Sequence, residues 1–297
     1  MIPFSLPVID QDVESEMLDT LNRTGWLTTG PKTRELEEEI RKFVNAKAVL
    51  CVNSWTSGAM LVLRWLGVGV GDEVIIPSYT YSATALCVMN MGAKPVMVDV
   101  KDDFTVDVAH IRKAINSKTK AIIPVDIGGL PCDYDEINHL VNEPEIKAFY
   151  QPHSENQRKL GRIMVLADAA HSLGAIYHGK QSGLLCDVAV FSFHSVKNVT
   201  TGEGGAIVLN LPPAFDDQAE YNFLKALSLN GQNRSTFEKG QLGMWRYDII
   251  AQGFKANMPD LCAAVGLAQI RKYQSTLLPQ RKEIFDYYVF NFRELYK

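Results

Sequence analysis

A single lysine, Lys197, follows the apolar run DVAVFSFH and precedes Thr200, Thr201, Gly202, Glu203, Gly204 and Gly205. An amine just past a buried strand is partly desolvated, which lowers its pKa and makes it nucleophilic. Most lysines are solvated surface charges. The apolar approach to this one, and the glycines after it that let backbone pass close to a ligand, set it apart. Lys197 is the candidate for a Schiff base with an aldehyde cofactor. Ser192, five positions earlier, can hold an anion beside the amine.

Three other stretches carry side chains suited to such a cofactor. In NSWTSGAM, Asn53 to Met60, an apolar run ends and a helix opens, so free backbone N–H groups and the hydroxyls of Thr56 and Ser57 converge on an anion. Simple N-capping by Ser54 or Thr56 would give the same pattern. In PSYTYSATA, Tyr81 offers a ring that can lie flat on a planar ligand or stand as a rim tyrosine. In VLADAAHSLGA, Asp168 ends a strongly apolar strand, where an acid is costly unless partnered. A carboxylate facing a pyridine nitrogen keeps that nitrogen protonated and the ring an electron sink. Asp168, His171 and His194 form no metal-ligand motif, and no metal is expected. The glycines of GVGVGDEV precede a strand instead of following one, so they are a helix end and not a dinucleotide fingerprint.

The elements that must position these groups alternate along the chain. Apolar runs at 49–54, 73–78, 95–100, 120–127, 162–170, 187–194 and 205–210 read as strands, most of them continuous, as in a sheet covered on both faces. Helical spacing marks Asp10 to Asn22, Thr33 to Val44, Ser57 to Leu66 and Val108 to Ile115. The last two strands are joined too tightly for a crossover helix, so an antiparallel pair is expected there. The polar segment Asn142 to Arg162 reads as a surface insertion with solvated basic residues. The fold class is α/β.

At 297 residues and 46% hydrophobic content, the chain can bury a full core. A net charge of −4 gives no footprint for nucleic acid. No apolar run is long enough for a bilayer, and the start has no charged n-region or apolar h-region, so a cytoplasmic protein is expected. Five scattered cysteines fit buried free thiols in a reducing compartment.

Together these motifs resemble the DegT/StrS-type nucleotide-sugar aminotransferases, among the fold type I pyridoxal-phosphate enzymes. FSFHSVKNVTTGEGG resembles the lysine motif, and NSWTSGAM the phosphate cradle, with Trp55 in place of the usual glycine. The resemblance, which covers nearly the whole chain, implies a three-layer sandwich with a mainly parallel seven-stranded sheet. It implies pyridoxal 5′-phosphate held by Lys197, with Asp168 on the ring nitrogen and His171 on the phenolic oxygen. Tyr81 would stack on the ring, and Thr56, Ser57 and Ser192 would hold the phosphate. GFKANMPDLCAAVGLAQI resembles the segment that reaches the partner subunit's phosphate, with Lys255 and Asn257 in the places of Asn and Arg. The implied reaction moves an amino group from glutamate to a nucleotide-linked keto sugar, in a homodimer with shared sites. A non-catalytic, cofactor-binding relative is the alternative. Family members continue well past Lys297, so residues 1–252 are expected to form the large domain and 253–297 the start of an incomplete small one.

Overall fold

All seven apolar runs become strands of one sheet. The computed structural model describes residues 6–240 and 245–296. Helix α1 (Gln11–Asp19) is capped by Asp10 and widens into a π-helical turn over Thr20–Thr24. Helix α2 (Pro31–Val44), strand β1 (Ala48–Val52), α3 (Trp55–Leu66) and β2 (Glu73–Pro77) follow. The alternation continues through α4 (Ala83–Asn90), β3 (Lys94–Val98), α5 (Val108–Ala114) and β4 (Thr119–Ile122). After α6 (Tyr134–Asn142), α7 (Pro144–Phe149) and α8 (Glu155–Leu160) comes β5 (Met164–Asp168). A small hairpin, β6 (Ile176–Tyr177) and β7 (Lys180–Gln181), precedes β8 (Val188–Ser192) and β9 (Gly205–Leu209). The C-terminal helices are α9 (Asp217–Ser228), α10 (Thr236–Lys239), α11 (Asp260–Lys272) and α12 (Leu278–Phe292).

The strand order is β1-β9-β8-β5-β4-β2-β3. The pairs from β8 through β5, β4 and β2 to β3 are parallel, and β9 runs antiparallel to both β8 and β1. The tight connection from β8 to β9 thus does give antiparallel pairing. Residues alternate between two apolar cores: Val49 and Cys51 of β1 join one, Ala48, Leu50 and Val52 the other. That burial on both faces explains why the strands read as unbroken apolar runs. Pro95, without an N–H, sits in the edge strand β3.

Helix α3 lies close on the sheet at two glycines. A Cβ on Gly58 would stand 2.8 Å from a Val190 methyl, and one on Gly205 would stand 2.9 Å from the Trp55 nitrogen. Gly205 therefore makes room for the protein's own helix, not for a ligand as its place in the lysine stretch suggested. Helix α2 begins at Gly30 with no cap of its own. Its cap comes from α11: the buried Asp260 carboxylate accepts from the amides of Gly30, Lys32 and Thr33 and from the Thr33 hydroxyl.

The segment 142–162 differs from the expected solvated insertion. Ser154 Oγ and Asn156 Nδ2 donate to the Leu66 and Trp65 carbonyls, closing the C-terminal end of α3. Arg162 pairs with the buried Asp187 at 2.6 Å. Its partner lies 25 positions on, just before β8, beyond the reach of a local pattern.

Packing against the large body continues past the expected start of the small domain at 253. Ala263, Leu267, Ile270, Tyr273 and Leu277 all join the core that holds Leu36 and Ile40. Helix α12 then buries none of its described residues. No helix among the described residues is long and apolar enough to cross a membrane. All five cysteines are free; Cys51, Cys87, Cys132 and Cys186 are buried, and Cys262 is partly so.

Candidate active site

The carboxyl ends of the parallel strands open into one cavity of about 510 Å³, where α/β sheets place their ligands. Strand β5 ends at Asp168, β8 ends at Ser192, and the turn after β8 carries Lys197; all three line the cavity. So do His171, Thr56 in the first turn of α3, and Tyr81 in the loop before α4. Residues as much as 141 positions apart in sequence are thus brought together by sheet order.

The lysine turn is shaped by two hydrogen bonds, Lys197 N to the His194 carbonyl and Thr201 N to the Phe193 carbonyl. The Lys197 side chain is half-buried, and that burial lowers its pKa against the opposing pull of Asp168. Asp168 is buried, and loss of solvation pushes its pKa up to about 7. Thr84 Oγ1 donates to Asp168 Oδ2 at 2.9 Å, and the Ala170 amide donates to Oδ1 at 3.3 Å. Both bonds pull the pKa down, Asp126 pushes it up, and Lys197 pulls it down. His171 accepts at Nδ1 from the Gly128 amide at 3.2 Å, so its neutral ring carries the proton on Nε2. Burial and the nearby Lys197 lower its pKa, which favours that neutral form.

Ser54 caps α3, its Oγ accepting from the Ser57 amide. Helix geometry leaves the amides of Trp55 and Thr56 without intrahelical acceptors, beside a partial positive charge. Trp55, where a glycine was usual, fits as the first residue of a regular helix and is itself buried.

Three expected residues do not line the cavity. Ser57 is engaged in the cap, its hydroxyl 3.0 Å from that of Ser54. Asn257 donates its amide to Thr29 Oγ1 at 2.6 Å, and its backbone bridges Val52 at the end of β1. Lys255 is exposed on the same outer segment. Tyr81 rims the cavity at 79% exposure and is not enclosed. Sequence reasoning missed Thr80, Thr84 and Asp126, which also line the cavity. A second buried acid at a strand end, Asp126 in KAIIPVDI, was the available signal.

The residues present fit pyridoxal 5′-phosphate. A buried carboxylate with no ion pair among the described residues suits a cationic ring nitrogen. Free amides at a helix start suit a phosphate, and a desolvated amine suits an aldehyde. A mainly parallel α/β sheet presenting these three groups to one cavity defines a pyridoxal-phosphate enzyme of fold type I.

Relatives agree. The pattern of the DegT/DnrJ/EryC1/StrS aminotransferase family matches residues 8–150 and 156–297. A protein of Methanocaldococcus jannaschii without an assigned function is 36% identical over 296 residues, 99% of this chain and 70% of that one. The spore coat polysaccharide biosynthesis protein SpsC of Bacillus subtilis is 34% identical, again over 99% of this chain and 70% of its own. Among solved structures, the PMP form of Spr1654 from Streptococcus pneumoniae, assigned as a sugar aminotransferase, superposes with a TM-score of 0.92 at 44% identity, covering 98% of this chain and 72% of that one. The same protein is also known in a PLP form. This chain belongs to the DegT/DnrJ/EryC1/StrS aminotransferase family and is a pyridoxal-phosphate-dependent aminotransferase.

Proposed function

We propose that the chain moves an amino group from glutamate to a nucleotide-linked keto sugar in amino-sugar biosynthesis, in the cytoplasm. The convergence of Lys197, Asp168 and the amino end of α3 on one cavity carries this reading; the polysaccharide and sugar roles named for SpsC and Spr1654 support its substrate class. Pyridoxal 5′-phosphate, when bound, supplies an aldehyde that carries the amino group and a ring that takes up electrons.

Lys197 would hold the aldehyde and, once released as a free amine, would move a proton between the substrate carbon and the aldehyde carbon, acting as base and then acid. Burial lowers its pKa, which favours the neutral amine that this role needs. Asp168 keeps a proton on the ring nitrogen. His171 donates from Nε2 to the phenolic oxygen. Thr56, Ser192 and the first-turn amides of α3 bind the phosphate, with Ser57 behind them fixing the cap. Tyr81 covers the ring face. Lys255, exposed and without an ion pair among the described residues, would reach the phosphate of a partner subunit in a homodimer, with Asn257, its amide bonded to Thr29, beside it.

The test is a visible absorption spectrum of the purified protein before and after glutamate. The expected result is a yellow band that bleaches with glutamate and is missing in Lys197→Ala. A band that ignores glutamate points to a cofactor-binding, non-catalytic relative, and no band after added pyridoxal phosphate sinks the assignment of Lys197.

A further inference from the structure

Asp168 must be ionised to face a protonated ring nitrogen, yet its surroundings oppose ionisation. Burial raises its pKa, and the Asp126 carboxylate, from the loop after β4, acts in the same direction. The Cys87 thiol of α4 is pushed up to about 12 and stays neutral. His171, on the loop after β5, is held toward its neutral form. Lys197, from the turn after β8, is the cation that favours the charged acid, and it lies beyond ion-pair distance.

Against these stands a chain of hydroxyls. Thr84, 1% exposed in the first turn of α4, has a single hydroxyl proton, and the 2.9 Å bond to Asp168 Oδ2 uses it. The 2.8 Å contact between the Thr80 and Thr84 hydroxyls therefore has Thr80 donating. The direction is set: Thr80 to Thr84 to Asp168. Each donation polarises the next, so the last bond to the carboxylate is strengthened.

We infer that Thr84, backed by Thr80, is a positioning residue that holds the Asp168 carboxylate ionised and in one orientation toward the cavity. The inference rests on the reading of Asp168 given above. A valine at 84 keeps the shape and removes the donor; a serine keeps the donor.

The experiment follows the Asp168 carboxyl by 13C NMR across pH in cofactor-free protein, with Asp168→Asn assigning the signal. One hydrogen bond to a charged group corresponds to a rise of about one to two pH units in the midpoint of Thr84→Val. Thr84→Ser returns the midpoint to that of the parent, and Thr80→Val, farther from the core, raises it by less. Equal midpoints in Thr84→Val and Thr84→Ser, or in Thr80→Val and the parent should Thr84→Val not fold, would overturn the inference. Because the titration uses no cofactor, it judges Thr84 whatever Asp168 does in turnover. The role of Asp168 is judged separately: unchanged cofactor binding and amino transfer in Asp168→Asn would remove that reading and leave the titration result standing.

Discussion

At the scale of single residues, the site works by withholding water from charges that then need particular partners. Lys197 shows this through pH. Its pKa lies below the ordinary lysine value because burial disfavours the ammonium. Below that depressed pKa the amine is protonated and cannot accept a proton. Single-turnover amino transfer from glutamate should therefore climb with pH and level off before the range where a free lysine deprotonates; a limb that keeps rising to that range would argue against a desolvated base. Lys197, Asp168 and His171 were legible because each sits in a short local pattern at a strand end. Thr84 was not. Its role comes from a carboxylate 84 positions away, and a threonine in a helix start looks the same whether or not such a partner exists.

Among the elements, the strands were legible because burial on both faces leaves an unbroken apolar run, and the helices because one stripe must face that core. Their mutual capping was not. Asp260 reads locally as the start of α11, but its carboxylate serves α2, with four donors from Gly30, Lys32 and Thr33. Asp260→Ala would leave those buried donors unpaired, a loss of about 2–4 kcal/mol in unfolding free energy. Chemical denaturation would measure it, and a loss under about 0.5 kcal/mol, typical of a surface change, would show that α2 finds other acceptors. The closeness of α3 to the sheet at Gly58 and Gly205 has a related meaning: the helix end proposed for the phosphate and the strand ends carrying Asp168 and Ser192 are one rigid unit.

For the whole molecule, buried acids make stability depend on pH in the direction opposite to that of salt-bridged ones. Glu37 of α2 accepts from the Cys51 amide of β1 and the Tyr221 hydroxyl of α9, tying three elements together. Burial pushes its pKa from 4.5 up to about 7. Between those values the native state holds a proton that the unfolded chain has released, so stability is greatest below pH 4.5 as far as this group is concerned and declines as pH rises toward 7. The shift corresponds to about 3 kcal/mol at most. Glu37→Gln should flatten the decline in thermal melts between pH 4.5 and 7; an unchanged slope would mean the carboxylate is charged throughout. The sheet order has a consequence for synthesis. Ala48 of β1 pairs with Leu209 of β9, so the ribosome makes an apolar strand early and its neighbour in the sheet much later. At about 5–20 residues per second that interval is roughly ten seconds or more. During it, the nascent chain has an unpaired β1 that α2 and α3 alone can shield, and slowing elongation between the two strands would lengthen its exposure to other chains.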